Sequence, residues 1–327
     1  MDLSVVTTLY RSSPYIEEFY RRITAAAKQI TTDYELIFVD DGSPDNSLDV
    51  ALSLYARDPH VRVIELSRNF GHHRAIVTGL EHARSELVFL LDSDLEEAPE
   101  LLQQFYSDMQ AAPSADVVYG VQRSRKGDWF EKISGNLFYW IFNLLSTYPI
   151  PVNQVTARLM KQRYVKALVQ HRDREVCLLG LLAITGFRQV ACPVDKGHKG
   201  ATTYSLLKRA ALFVNAITSF SNRPLVFIFY IGTAVVTVSA VSGIALIVRE
   251  LFVGPYLAGW ASLMVSIWFL GGLMIFCVGL VGVYLSRVYM ETKERPYTII
   301  RHLHQDGHGD APTGERVRET EAPIAKR

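Results

Sequence analysis

Two long stretches without a charged residue, Leu225–Val248 and Tyr256–Ser286, restrict this chain more than any other feature. The first has roughly 24 residues, which as a helix span about 36 Å and clear a bilayer core of about 30 Å, so a transmembrane helix is expected. The second is longer than a crossing needs and is expected to tilt or to leave its ends in the interface. Lys208, Arg209 and Arg223 precede the pair, Arg287, Lys293, Arg295 and Arg301 follow it, and only Arg249 and Glu250 lie between. Cations on both flanks predict that both ends face the cytoplasm.

The part before these runs has a different rhythm. Short apolar segments at Leu3–Leu9, Tyr34–Val39, Val61–Leu66, Leu87–Leu91 and Asp116–Tyr119 alternate with amphipathic stretches near 14–30, 45–57, 72–84 and 98–111. Strict alternation of this kind predicts an α/β domain with a mostly parallel sheet and helices on both faces. Ligands of such sheets bind where the carboxyl ends of the strands open into loops. That rule selects Thr8 to Arg11, Asp40 to Ser43, Ser67 to Asn69 and Asp92-Ser93-Asp94 as one rim.

The chemistry of the rim is acidic and local. No Gly-x-Gly-x-x-Gly follows the first strand and no Gly-Lys-Ser/Thr occurs, so neither a dinucleotide fold nor a P-loop is supported. Asp92 and Asp94 at the end of a buried strand are the hard oxygen ligands that Mg²⁺ or Mn²⁺ uses when shared with phosphates; a solvated turn is the ordinary alternative. Asp40 and Asp41 are placed to hydrogen-bond a base and ribose, whereas Ser43 to Ser47 read as a turn and helix cap. Ser67 to Arg74 is either a binding loop or merely a basic entry to a helix, and its two histidines have no evident third ligand. A net charge of +1 offers no surface for nucleic acid. Three cysteines without ligand spacing suit a reducing compartment, and with no signal peptide evident the N-terminus is expected in the cytoplasm.

Between the sheet and the apolar runs, 129–148 and 204–220 carry apolar and aromatic residues at helical spacing beside basic ones. Helices lying at the membrane interface are expected there, with burial in the core as the alternative. The last twenty or so residues are expected to be disordered.

Several strings resemble successive motifs of one family: Val5–Tyr10, Leu36–Ser43, Leu66–Gly71, Asp92–Leu95 with Pro99 and Glu100, Val118–Val121 with Arg123 and Arg125, Ile217–Phe220, and Gly282–Arg287 with Arg295 and Pro296. They are similar to the family-2, GT-A-fold polyisoprenyl-phosphate glycosyltransferases, such as dolichol-phosphate mannose synthase and the bacterial undecaprenyl-phosphate sugar transferases. The resemblance, which runs from about Leu3 to Tyr297, implies an inverting transfer from a nucleotide-diphosphate sugar to polyprenyl phosphate at a bacterial inner membrane, with Mg²⁺ or Mn²⁺. UDP is favoured over GDP because the members that this chain most resembles are bacterial. It divides the chain into a nucleotide-sugar core (1–128), an acceptor-side part with interfacial helices (129–223), a two-helix transmembrane anchor (224–286) and a cytoplasmic tail (287–327).

Carried over by position, Thr8, Tyr10, Asp40, Asp41, Arg68, Asp92 and Ser93 fall at the donor, and Asp92, Asp94 and Glu96 at the metal. Arg123, Arg125, Arg158, Lys196, His198 and Lys199 fall near phosphate or lipid phosphate, with Asp94, Arg158 and Arg125 expected to carry catalysis. Self-association into a homo-oligomer is compatible with the short polar tail. Glu96 stands where many members have Gln, Tyr10-Arg11-Ser12 where many have Tyr-Asn-Glu, and Thr203-Tyr204-Ser205 where Ser-Lys-Tyr is common. Thr156 occupies the place of an acid often proposed as base. A phosphate monoester, with a second pKa near 6, is already mostly ionised at neutral pH and needs positioning more than deprotonation. A hydroxyl acceptor would need the missing base, and a non-catalytic nucleotide-sugar-binding scaffold is the remaining alternative.

Overall fold

Every residue of β1 (Leu3–Leu9), β2 (Tyr34–Asp40) and β3 (Val61–Leu66) is buried, the polar ones included. Strands covered on both faces belong between two helical layers, the position of a parallel strand in an α/β sheet. The computed structural model describes residues 1–122, 153–171, 178–195, 223–253 and 259–305, and it contains such a sheet. With β4 (Leu87–Leu90), β5 (Val117–Gln122), β6 (Gln154–Lys161), β7 (Gln189–Val194) and β8 (Ile300–His304), the order is β7-β5-β6-β4-β1-β2-β3-β8. The β4-β1-β2-β3 centre is parallel, as is the β5–β7 pair; β6 and β8 run antiparallel to their neighbours.

Helical spacing of apolar residues builds the layers. On α1 (Ile16–Lys28), Ile16, Phe19, Ile23, Ala26 and Ala27 form a buried stripe, with Glu17 and Glu18 in the first turn and Lys28 in the last, where each suits the helix dipole. This stripe, Ala51 and Leu54 of α2 (Ser47–Arg57), and Leu102, Phe105 and Met109 of α4 (Leu101–Ala111) cover one face around Phe38 and Phe89. The other face is covered by α3 (His72–Glu81), α5 (Gln162–Leu168) and α6 (Leu178–Ile184), around Ile37, Ile64 and Leu90.

The five expected strands and four expected helices are all present. Strands β6, β7 and β8 have no counterpart among the expected segments. β6 and β7 follow stretches whose character had changed from simple alternation, and β8 lies in what had been read as a polar tail. Ile300–His304 instead pairs with β3 and closes that edge of the sheet. The expected interfacial helices at 129–148 and 204–220 lie outside the described residues.

The apolar runs form α7 (Arg223–Val253) and α8 (Trp260–Thr292). Two transmembrane helices were expected. Among the described residues, Ser266–Thr292 alone is long and apolar enough to cross, with a mean hydropathy of 2.2. In α7, a helix of 31 residues, the described residues give the shorter apolar stretch Arg223–Val235.

Candidate active site

Register brings the ends of three central strands together. Leu9 lies opposite Asp40, and Val6 opposite Leu90, so the loops after β1, β2 and β4 emerge side by side. Hydrogen bonds then stitch them. The Ser93 hydroxyl donates to the Thr8 carbonyl at 2.9 Å and lies 3.1 Å from the Ser12 hydroxyl. The backbone N–H of Ser12 donates to the Ser47 hydroxyl at 3.0 Å, and that of Arg11 to the Ser43 hydroxyl at 3.1 Å. Ser93 is therefore a fastener between loops, buried beneath the two aspartates that flank it.

Those aspartates sit at the rim. Asp92, Asp94 and Glu96 are half-buried, and Leu95 between them has a left-handed backbone (φ 61°) that turns the loop back on itself. The Asp94 carboxylate accepts the Glu96 N–H at 3.0 Å, which fixes its orientation. Asp92 Oδ1 is buried without a hydrogen-bond partner; His72 Nε2 is 3.4 Å away but not aligned to donate. Among the described residues no three His, Cys, Asp or Glu side chains converge on one point, so Asp92, Asp94 and Glu96 are not a ready-made cage. An orphaned, buried carboxylate oxygen beside a second, half-buried carboxylate does fit Mg²⁺ or Mn²⁺ held by one or two protein oxygens and completed by phosphates.

The other acidic pair is arranged differently. Asp41 accepts the Phe70 N–H at 2.7 Å and the Gly71 N–H at 3.0 Å, so both of its oxygens are engaged by the loop after β3. Gly42 completes the latch: it adopts φ +62°, and a Cβ there would lie 2.6 Å from the backbone of Arg68 and Asn69. Asp40 accepts the Ser43 N–H at 3.3 Å through Oδ2, while Oδ1 is buried without a partner. Burial pushes both carboxyl groups above the ordinary range, and the backbone N–H bonds oppose it.

A cleft of about 140 Å³ opens beside this latch, lined by Thr8, Leu9, Tyr10, Asp41, Asn69, Gly71 and His72. The Thr8 hydroxyl and His72 Nδ1 are 3.0 Å apart. Tyr10 is 46% exposed and its ring lies under the Arg11 guanidinium, while Arg68 stacks on Phe70 at 4.0 Å. Thr8, Tyr10, Asp40, Asp41, Arg68, Asp92, Ser93, Asp94 and Glu96 thus gather around one rim. Arg123, Arg125, Lys196, His198 and Lys199 lie outside the described residues.

Arg158 departs from expectation. It is fully buried on β6, between Leu90 of β4 and Tyr119 of β5, and donates at 3.0 Å to the carbonyls of Thr156 and Val155. Burial depresses its pKa, opposed by the charges of Tyr164, Glu97 and Asp92. An open contact to an acceptor phosphate does not fit this position; a cation behind the acidic loop does.

One site residue, Glu97, has no sequence signal, and one, His72, lies in a stretch for which the sequence leaves a binding role open. Glu97, buried, accepts the N–H groups of Thr156 at 3.2 Å and Ala157 at 2.7 Å, tying the acidic loop to β6. No spacing signal marked it, because its partners are backbone groups on a strand not foreseen. His72 lines the cleft from the first turn of α3; its place just after the third-strand loop was the available signal.

The model of the family described as Glycosyl transferase family 2 matches residues 4–169, which include the whole rim. A Mycobacterium tuberculosis protein named as a putative glycosyltransferase is 53% identical over 304 residues, covering 93% of this chain and 89% of its own. The bactoprenol glucosyl transferase of Shigella phage SfII is 30% identical over 308 residues, covering 93% and 99%. Among solved structures, Staphylococcus aureus TarS 1-349 in complex with UDP aligns with a TM-score of 0.45 at 19% identity, over 67% of this chain and 65% of that one. With its mostly parallel sheet and a family match that spans the rim, the chain belongs to glycosyl transferase family 2.

Proposed function

We propose that this protein transfers a sugar, with inversion, from a nucleotide-diphosphate sugar, UDP-sugar in preference, to polyprenyl phosphate at the cytoplasmic face of a bacterial membrane. The observation that carries the reading is the half-open Asp92–Glu96 loop on the same strand-end rim as the cleft lined by Thr8, Tyr10, Asn69 and His72, in a chain that also contains a bilayer-length apolar helix. A water-soluble donor and a lipid-borne acceptor are the substrates that need both. The name of the phage relative, bactoprenol glucosyl transferase, points the same way.

The topology of the sheet supports two crossings. β7 precedes the apolar helices and β8 follows them, yet both belong to one sheet. A folded sheet lies on one side of a bilayer, so the chain between Val194 and Ile300 crosses an even number of times. If α8 crosses, a second crossing is required, and α7 is the element available for it.

The residues divide the work as follows. Thr8, Tyr10, Asn69 and His72 line the donor cleft, with the Asp41 latch holding its wall. Asp92 and Asp94, with Glu96 beside them, hold the divalent cation, which when bound neutralises charge on the departing diphosphate. Arg158 supplies a fixed positive charge behind Asp92 and Glu97. Arg125 and Lys199, with Arg123, Lys196 and His198, are assigned to orienting the acceptor phosphate. Thr156 has no acid to offer; an ionised phosphate nucleophile needs none, whereas a sugar hydroxyl would.

Membranes containing the protein, incubated with a panel of nucleotide sugars and undecaprenyl phosphate, should form a glycosyl lipid with one of them and stop on addition of EDTA. Transfer to a glycan hydroxyl in place of the lipid phosphate, or no transfer from any donor, would sink the reading.

A further inference from the structure

The segment that leaves α8 returns to the sheet against the wall of the donor cleft. Only Lys293 to Pro296 separate Thr292, the last residue of α8, from Tyr297. From there the chain grips the β3–α3 region at successive points. The Tyr297 hydroxyl donates to Glu81 at 2.5 Å, and the hydroxyls of Thr298 and Thr78 are 2.8 Å apart. The Ser67 N–H donates to the Ile299 carbonyl at 2.9 Å. Arg301 donates through Nη2 to the Ser67 carbonyl at 2.8 Å and through Nη1 to Glu65 at 2.7 Å. Farther along, Gln305 accepts from Arg62 at 2.7 Å and Arg84 at 2.9 Å, which anchors the end of the segment.

Ser67 is thus held through both of its backbone polar groups by residues that follow the membrane helix. It is also the first residue of the loop that supplies Asn69 and Gly71 to the cleft and the Phe70 and Gly71 N–H groups to Asp41. The next element, α3, begins with His72 and is tied to the same segment at Thr78 and Glu81.

We infer that Tyr297–Gln305 is a positioning clamp for the donor site, with Arg301 as its principal positioning residue, so that nucleotide affinity depends on the segment joined to α8. Arg301 touches no lining residue of the cleft; it acts through Ser67. The planar guanidinium engages a carboxylate and a carbonyl through two nitrogens held in a rigid fork, a geometry that a lysine's single ammonium on a flexible stem does not match. The clamp rests on the proposal that the cleft takes the nucleotide of the donor, and the test separates the two.

The test is binding of UDP with Mn²⁺ to the purified full-length protein, read with the unliganded melting temperature. Arg163→Ala is the control, because Arg163 also forms an ion pair with a buried carboxylate, Asp116, but on the β5–β6 side of the sheet. Wild type and Arg163→Ala should bind UDP alike. Arg301→Ala should bind it about fivefold more weakly, Arg301→Lys should lie between, and the melting temperatures of Arg301→Ala and Arg163→Ala should match. If Arg301→Ala does not accumulate, Tyr297→Phe, which removes one hydroxyl from Glu81, should weaken UDP binding by about twofold to threefold. Equal UDP affinity in the Arg301 (or Tyr297) and Arg163 variants overturns the clamp alone. Absence of UDP binding by the wild type overturns the donor reading and the clamp with it.

Discussion

The loops after β2 and β4 look alike in sequence and are opposites in structure. Each ends a buried apolar strand with two carboxylates, Asp40 and Asp41 in one, Asp92 and Asp94 in the other. In the first, Asp41 spends both oxygens on the backbone of a neighbouring loop and both aspartates are buried. In the second, Ser93 takes the buried role and the aspartates on either side of it are half-buried. Asp40 closes β2 and Asp41 follows it directly, whereas Asp92-Ser93-Asp94 lies in the turn beyond β4, which leaves the two aspartates half-buried on either side of the buried serine. The two loops thus differ as a latch and a partly exposed pair.

The largest effect should come from the partly exposed pair. Asp94→Asn should lower glycosyl-lipid formation by about 10²- to 10³-fold, measured as turnover in membranes, while leaving the melting temperature near that of wild type. Near-normal turnover would remove Asp94 from the metal assignment.

Next comes the latch. Asp41→Ala leaves the Phe70 and Gly71 N–H groups without their acceptor and should cost about 2–3 kcal/mol in denaturant unfolding. A stability change no larger than that of Asp94→Asn would erase the difference between the loops.

The smallest effect is a pH dependence at Asp40. Its folded-state pKa is raised above the 3.8 of the free group, chiefly by burial. The folded protein therefore binds this proton more tightly than the unfolded chain, a contribution present below 3.8 and lost as pH rises through the folded-state pKa. Asp40→Asn, which never ionises, should be more stable than wild type at neutral pH, with the difference closing as pH falls toward 3.8. A difference that grows on acidification would reverse the sign assigned to burial.

Much of this was legible beforehand. Alternating apolar and amphipathic stretches sufficed for β1 to β5 and α1 to α4, because strands buried on both faces read as continuous apolar runs. The rim followed from strand ends. Less legible was anything decided by long-range pairing: β8 is five residues, Ile300–His304, that rely on the β3 edge for their conformation, and three of the five are Arg or His. Arg158 kept the expected chemistry but not the expected exposure, since its burial follows from β6 lying between β4 and β5. Glu97 was invisible because its partners are backbone N–H groups of that same strand. Asp41 was placed at the right rim; that its oxygens were already engaged depended on where the loop after β3 would fold.

The claim that the two acidic loops do different work is tested most directly by Mn²⁺ binding in the presence of UDP, followed by electron paramagnetic resonance on purified wild type, Asp94→Asn and Asp40→Asn. The account predicts UDP-dependent Mn²⁺ binding in the wild type, its loss in Asp94→Asn and its retention in Asp40→Asn. Retention in Asp94→Asn with loss in Asp40→Asn would contradict it.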